Sequence, residues 1–266
     1  MKLVFCPLYS GSSGNALYVG NGKTGILIDA GLPGRTVVDA LNQIHVLPET
    51  LRGIIVTHEL SDHVTGGGVL SRKYHLPVYA NEKTFCAMDK TVGVIEPRNR
   101  RYFQNDLSFY IDELEIKPFS IPHDAADPVG FHIFCGGHSI ATATDVGHLT
   151  KSIVSELSGS DLVLLESNFD PDLLMQNPHY SSALKKRILG NRGHLSNQTC
   201  ANALCELYKR NVTHVVLGHL SGENNSPELA LNTTLEALAA HGITPGQDME
   251  VDLAWRSRVG SVYIIG

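Results

Sequence analysis

The sequence predicts an α/β protein, with two packed sheets and helices outside them in one domain. Three observations predict it. The first half is rich in short apolar runs punctuated by turns, with helical segments among them. The second half alternates helix and strand. No linker, tandem repeat or long charge run divides the 266 residues, so the expected domain is 1–266.

Residues 3–8, 16–19 and 25–29 are apolar runs that read as strands. Asn21-Gly22 joins the last two as a hairpin. Gly11-Ser12-Ser13-Gly14-Asn15 separates the first two as a loop of small polar residues. Residues 36–44 carry a helical pattern, with Pro33 and Gly34 at its start. Residues 53–56 form a short buried strand ending at Thr57-His58. A helix at 66–74, a strand at 77–80 and a helix at 82–88 follow. Residues 106–119 carry β patterning, with Asp112-Glu113 as the turn. Residues 129–135 and 139–143 flank Gly136-Gly137-His138 as a second hairpin. A helix at 149–157 and a buried strand at 161–165 come next. Helices are expected at 171–176, 181–189 and 196–209, the last with Ser196 as its N-cap. A strand at 213–217, a helix at 227–240 with Pro227 in its first turn, and a strand at 262–265 complete the pattern.

Composition narrows the function classes. Hydrophobic residues make up 42% and charged residues 18%, which excludes disorder as the main state. Twenty-one Lys and Arg against 27 Asp and Glu give a net charge of −6. A protein that coats nucleic acid through bulk positive charge has the opposite balance, although a local basic groove is compatible with it. Basic groups occur at Arg98, Arg100 and Arg101, at Lys185, Lys186, Arg187 and Arg192, and at Arg256 and Arg258. Each reads either as a phosphate-backbone contact or as a solvated face, and the stretch 185–194 leads into His194. The five Cys are odd in number and lack a CxxC pair, so buried reduced thiols are expected rather than disulfides or a thiolate zinc site. Reduced thiols fit a cytoplasmic protein. Pro7 and the Gly/Ser loop interrupt the first apolar run before a signal peptide could form, and no run approaches the roughly 18 apolar residues of a membrane span.

Thirteen His favour a metal site. The main signal is Thr57-His58-Glu59-Leu60-Ser61-Asp62-His63, just after a short strand. His58, Asp62 and His63 on a strand-to-helix loop can converge on one point, and imidazole with carboxylate suits Zn, Mn or Fe. Alone, this loop also reads as a polar turn with a capping Asp. Three further segments repeat the placement: Ile121-Pro122-His123-Asp124, Ala143-Thr144-Asp145-Val146-Gly147-His148 and Leu217-Gly218-His219-Leu220-Ser221. Each puts a His or Asp just past the end of an apolar strand, where sheet folds place their sites.

With these residues the sequence resembles the metallo-β-lactamase-fold hydrolase superfamily. That pattern is HxHxDH, a later His, a bridging Asp and a final His. Its positions fall on His58, Asp62 and His63, on His123, on Asp145 and on His219. The resemblance implies a four-layer αββα sandwich with a dinuclear site, holding up to two divalent ions, zinc or manganese. Finer features are similar to the YycJ/WalJ-like branch of RNase J-related exonucleases. They are Gly11-Ser12-Ser13-Gly14-Asn15, Leu27-Ile28-Asp29-Ala30-Gly31, Tyr79-Ala80-Asn81-Glu82-Lys83-Thr84, Thr144-Asp145-Val146-Gly147-His148, Glu166-Ser167-Asn168 and Gly193-His194-Leu195-Ser196-Asn197. The resemblance implies 5′-to-3′ exonuclease action on single-stranded DNA, linked to DNA repair, through a hydroxide that the metal generates near neutral pH. No room is expected for a large inserted cap domain.

One departure stands out. Leu60 occupies the place of the pattern's second His and cannot ligate a metal. By the family layout the first metal takes His58, the missing His, His123 and a share of Asp145. The second takes Asp62, His63, His219 and a share of Asp145, so it is complete and the first is weakened. Asp62 is expected to orient the attacking hydroxide as well as ligate. His194, at a helix start, is expected to contact a phosphate or protonate the leaving oxygen, against the reading of a surface loop His. Ser12, Ser13, Asn15 and Asn168 are candidate donors to the substrate phosphate. Asp29 and His148 are expected behind the ligands, with Asp29 bonding the loop that carries them. Two other readings remain open. One is a hydrolase of thioesters, lactones or small phosphodiesters on the same scaffold. The other is a catalytically weakened nucleic-acid or partner-binding module, because of Leu60. The sequence leaves the oligomeric state undetermined.

Overall fold

Apolar β-branched runs build the strands, and capped amphipathic segments build the helices between them. A computed structural model describes residues 2–266, divided into two compact units. The first comprises residues 2–120, 125–138 and 255–266. Its main sheet starts with β1 (Leu3–Tyr9), β2 (Ala16–Gly20) and β3 (Gly25–Ile28), which are antiparallel neighbours. β4 (Leu51–Ile55), β5 (Val78–Ala80) and β6 (Arg100–Tyr102) extend it in parallel, and β14 (Tyr263–Ile265) pairs antiparallel with β1. Helices α1 (Gly34–Gln43), α2 (Ser61–Val64), α3 (Gly67–Tyr74) and α4 (Glu82–Val92) belong to this unit. Val37, Leu41, Leu70, Phe85 and Met88 from the helices join Leu27, Ile54 and Val78 from the strands in one buried cluster. The antiparallel strands β7 (Phe109–Ile111), β8 (Leu114–Ser120) and β9 (Val129–Cys135) complete it.

The second unit comprises residues 121–124 and 139–254. Four strands run parallel in the order β10 (His138–Ala143), β11 (Leu162–Glu166), β12 (His214–Gly218) and β13 (Glu250–Leu253). β11 is fully buried, as its near-continuous apolar sequence requires of a strand covered on both faces. The helices are α5 (Lys151–Leu157), α6 (Pro171–Gln176), α7 (Ser182–Ile188), α8 (Asn197–Tyr208) and α9 (Pro227–Ala240). Ser196 caps α8 by accepting a hydrogen bond from the Thr199 amide, and Pro227 fills the first turn of α9 behind Ser226.

The expected elements form with boundaries shifted by a few residues. Two strands lie outside the expectation. β6 is three residues long and reads Arg-Arg-Tyr, with no apolar signal to betray an edge strand. β13 reads Glu-Val-Asp-Leu, half-buried at the end of the parallel set. The metal-motif loop also contains one short helix, α2, which carries Asp62 and His63. All five cysteines are free, four of them buried and Cys86 exposed. Among the described residues no helix is long and apolar enough to cross a membrane.

Candidate metal centre

In the first unit the candidate ligands follow β4. His58 stands three residues past its end, and Asp62 and His63 lie on α2. His58 and His63 are fully buried, their rings 4.0 Å apart. Asp29, one residue past β3, holds this loop. Its Oδ1 accepts the Thr57 amide at 2.8 Å, and its Oδ2 accepts the Thr57 hydroxyl at 2.8 Å and His63 Nδ1 at 2.7 Å. Thr57 Oγ1 has one proton and gives it to Asp29. It therefore accepts from His58 Nδ1, 2.9 Å away. The Asp62 carboxylate lies 3.5 Å from His63 Nε2.

Backbone approach makes this arrangement possible. Ala30 N donates to the His63 carbonyl at 2.8 Å and Gly31 N to the Asn15 carbonyl at 2.7 Å. A Cβ on residue 31 would fall 1.6 Å from the Asp62 carbonyl oxygen, so only glycine fits there.

In the second unit each strand end contributes one group. Asp145 follows β10, Glu166 is the last residue of β11, His219 follows β12, and His194 lies ahead of α8. Asp145 and His219 have φ of 57° and 55°, and Asp29 in the first unit has 61°. These left-handed residues turn the chain sharply at the strand ends, at a cost of order 1–3 kcal/mol each. Asp145 Oδ1 faces His123 Nε2 at 3.6 Å, and its Oδ2 faces His219 Nε2 at 3.6 Å. Glu166 lies behind. Its Oε1 accepts from His194 Nδ1 at 2.7 Å and His219 Nδ1 at 2.9 Å, and its Oε2 accepts the amides of Val146 and Leu195. His123 Nδ1 donates to the Gly193 carbonyl at 3.0 Å.

These residues fit a divalent metal on geometric grounds. His58, His63, His123 and His219 each turn Nδ1 toward a protein acceptor, which fixes the tautomer so that Nε2 is the nitrogen able to meet an ion, and at His63 that nitrogen also accepts from the Asn15 amide. The two 3.6 Å gaps at Asp145 exceed hydrogen-bond length. They match donors that share an ion at bond lengths of about 2.0–2.2 Å. Asp145 turns one carboxylate oxygen toward each of two histidines.

The electrostatics agree. Burial alone would raise Glu166, but His194 and His219 outweigh it and hold the carboxyl at about 2. Burial depresses His123, keeping it neutral as a ligand must be, despite the opposing pull of Asp145. Burial also works against charge on His194, but Glu166 overcomes it and lifts that pKa above the usual histidine value.

The other predicted residues fall into distinct surroundings. Asn15 is buried; its amide nitrogen lies 3.1 Å from His63 Nε2 and also reaches the carbonyls of Gly11 and Asp62. Ser12 and Ser13 are exposed on the same loop. Asn168 is buried and donates to the His219 carbonyl at 2.7 Å, so it braces the turn that carries His219. His148 is exposed and bonds the Asn191 carbonyl at 2.9 Å. Glu59, next to the missing ligand position, accepts the Ala126 amide at 2.9 Å, and Leu60 immediately precedes α2. Glu166 and Thr57 are absent from the predicted site. An acid ending an otherwise apolar run, residues 162–166, was the available signal for Glu166. Thr57 offered none beyond its place beside His58.

Comparisons with known proteins agree with this arrangement. Residues 24–220 match a family model described as a β-lactamase superfamily domain. The chain is 37% identical over 252 residues to a Bacillus anthracis protein named exodeoxyribonuclease YycJ, covering 94% of this chain and 95% of that one. It is 37% identical over 246 residues to exodeoxyribonuclease WalJ of Streptococcus pneumoniae, covering 92% and 91%. Among solved structures, Zn²⁺-bound PqqB from Methylobacterium extorquens superposes with a TM-score of 0.75 at 18% identity, covering 99% of both chains. The metallo-β-lactamase fold protein YhfI from Bacillus subtilis gives 0.74 at 16% identity, covering 98% of this chain and 99% of that one. At such identities the structural likeness shows the fold, which is the one the sequence predicts. The chain therefore belongs to the metallo-β-lactamase-fold hydrolase superfamily, in its YycJ/WalJ-like branch, and is a metal-dependent hydrolase.

Proposed function

We propose that the protein is a 5′-to-3′ exonuclease on single-stranded DNA, acting in the cytoplasm as one domain over residues 1–266. The observation that carries this reading is the set of histidines whose Nδ1 is held by a protein acceptor, so that Nε2 is the nitrogen able to meet a metal, in a chain 37% identical to proteins named exodeoxyribonucleases. His58, Asp62, His63, His123, Asp145 and His219 are the proposed ligands. A bound divalent ion supplies Lewis-acid polarisation of the phosphodiester and activation of water.

The chain's own residues do the rest. Asp62 orients the attacking water through its second carboxylate oxygen. Asp29 and Glu166 hold the histidine rings and their tautomers. His194, with Nδ1 on Glu166, presents its other nitrogen to the leaving oxygen and delivers a proton there. Ser12 and Ser13, exposed on the Gly/Ser loop, are placed to donate to a substrate phosphate. Leu60 leaves the first metal position one ligand short, so one ion binds tightly and the other weakly.

The test is degradation of a 5′-phosphorylated, 3′-labelled single strand with Mn²⁺, with Zn²⁺ and with EDTA, using His63→Ala as control. The expected result is metal-dependent shortening from the 5′ end that His63→Ala abolishes. An intact strand in the presence of bound metal would overturn the reading. Cleavage of a thioester or lactone in its place would identify a small-molecule hydrolase on the same scaffold.

A further inference from the structure

The structure separates the three basic clusters noted in the sequence by what they already hold. Arg98 pairs with Glu96 and Arg100 with Asp89, and Arg101 donates to the carbonyls of Arg98 and Arg100. On and after α7, Arg187 pairs with Asp124, Lys185 donates to the Met175 carbonyl, and Arg192 donates to the His123 carbonyl. Lys186 excepted, the side chains of these two groups are engaged in holding chain segments nearby. Arg256 and Arg258 differ. Both are exposed, and neither has an ion-pair partner among the described residues. Arg258 instead lies over the indole of Trp255, its guanidinium carbon 3.8 Å from the ring centroid.

The loop that carries this stack is anchored at both ends in the first unit. Trp255 O accepts the Ser10 amide at 2.9 Å. Gly260 N donates to the Pro7 carbonyl at 2.9 Å, and Cys6 Sγ lies 3.6 Å from the Gly260 carbonyl. The anchors sit on β1 and on Ser10, immediately before the Gly/Ser loop. That loop ends in Asn15, whose amide touches His63. The cationic stack therefore belongs to a segment bonded to the residues that lead into the Gly/Ser loop, and that loop reaches a proposed ligand.

We propose that the Trp255–Arg258 stack, with Arg256, is a docking platform for the single-stranded nucleic acid that this hydrolase cleaves. A nucleobase stacks on the layered guanidinium–indole pair, and a neighbouring phosphate is met by Arg256. Stacking tolerates any base, because every base has a π-face, so the platform would hold a strand without reading its sequence. The inference rests on the nuclease reading and names the residues that grip the strand away from the reacting phosphate.

Trp255 is the chain's sole tryptophan, so its fluorescence reports this surface alone. The full-length protein is titrated with a twelve-nucleotide oligo(dT) in EDTA, so that nothing is cleaved. The expected result is saturable quenching of the tryptophan emission, with the midpoint about tenfold weaker in Arg258→Ala. Arg256→Ala should lower the salt dependence of binding by about one counterion. Anisotropy of a labelled oligo(dT) supplies the same constant for Trp255→Leu, which should also weaken by about tenfold or more. Oligo that binds with unmoved emission, affinities unchanged in Arg258→Ala and Trp255→Leu, or oligo that does not bind at all would each overturn the proposal. Strand shortening with metal reports the nuclease reading separately. Quenching without cleavage would keep the platform and sink the nuclease, and cleavage without quenching would do the reverse.

Discussion

The candidate ligand groups of the two units are built by opposite strategies. In the first unit the groups are packed into one short segment, His58 to His63, and one carboxylate, Asp29, collects the bonds that hold it. In the second unit Asp145, Glu166, His194 and His219 come from separate strand ends and loops, and the buried Glu166 ties two of the histidines together. The comparison teaches that histidines from separate segments can be held together by one buried carboxylate. The first strategy shows in sequence as a motif. The second shows in sequence only as scattered residues past strand ends, and the role of its Glu166 shows only in the folded structure.

The contrast is broken most severely at Glu166. It accepts four hydrogen bonds in full burial, and its loss leaves two histidines and two amides without their acceptor. Glu166→Ala should cost about 3–5 kcal/mol in urea unfolding of the metal-free protein. Asp29→Ala should cost less, since Asp29 serves His63 and the Thr57 amide and hydroxyl on a loop that backbone bonds also hold. Equal losses would erase the distinction between the two groups of residues. Asp29→Asn, which keeps the shape, should weaken metal binding about 10–100-fold through the orientation of His63, read by competition with a metal indicator.

The smallest expected effect is in pH dependence. In metal-free protein Glu166 is held at about 2 against an ordinary 4.5. Its contribution is complete above pH 4.5 and is lost as pH falls toward 2. His194 is raised above 6.5, so its contribution is complete below pH 6.5 and is lost as pH rises through its raised value. The stability difference between wild type and Glu166→Gln should therefore be greatest between pH 4.5 and 6.5. A difference that grew steadily above pH 6.5 would contradict the pairing of these two groups.

Much of the fold was legible, because strands such as β11 are continuous apolar runs and helices such as α8 begin at a clear cap. β6 and β13 were not, since short edge or half-buried strands carry charged residues that mimic a loop. The dense motif around His58 was legible by its spacing together with the His and Asp placed after three later strands. Glu166 was not singled out, because a lone acid at the end of an apolar strand looks like a strand terminus until its burial and its two histidine partners are seen. Asn15 and Asn168 have the right chemistry for a phosphate donor. Their amides instead touch His63 and the His219 turn, a distinction that sequence cannot make.

The most direct test of the account is a calorimetric titration of metal-free protein with Zn²⁺ and with Mn²⁺, repeated on Leu60→His. The account predicts one tight ion and a second, much weaker one in the wild type, with Leu60→His bringing the second toward the first. Two equal, tight sites in the wild type would contradict it, and would show that the chain completes its metal centre without the ligand that Leu60 replaces.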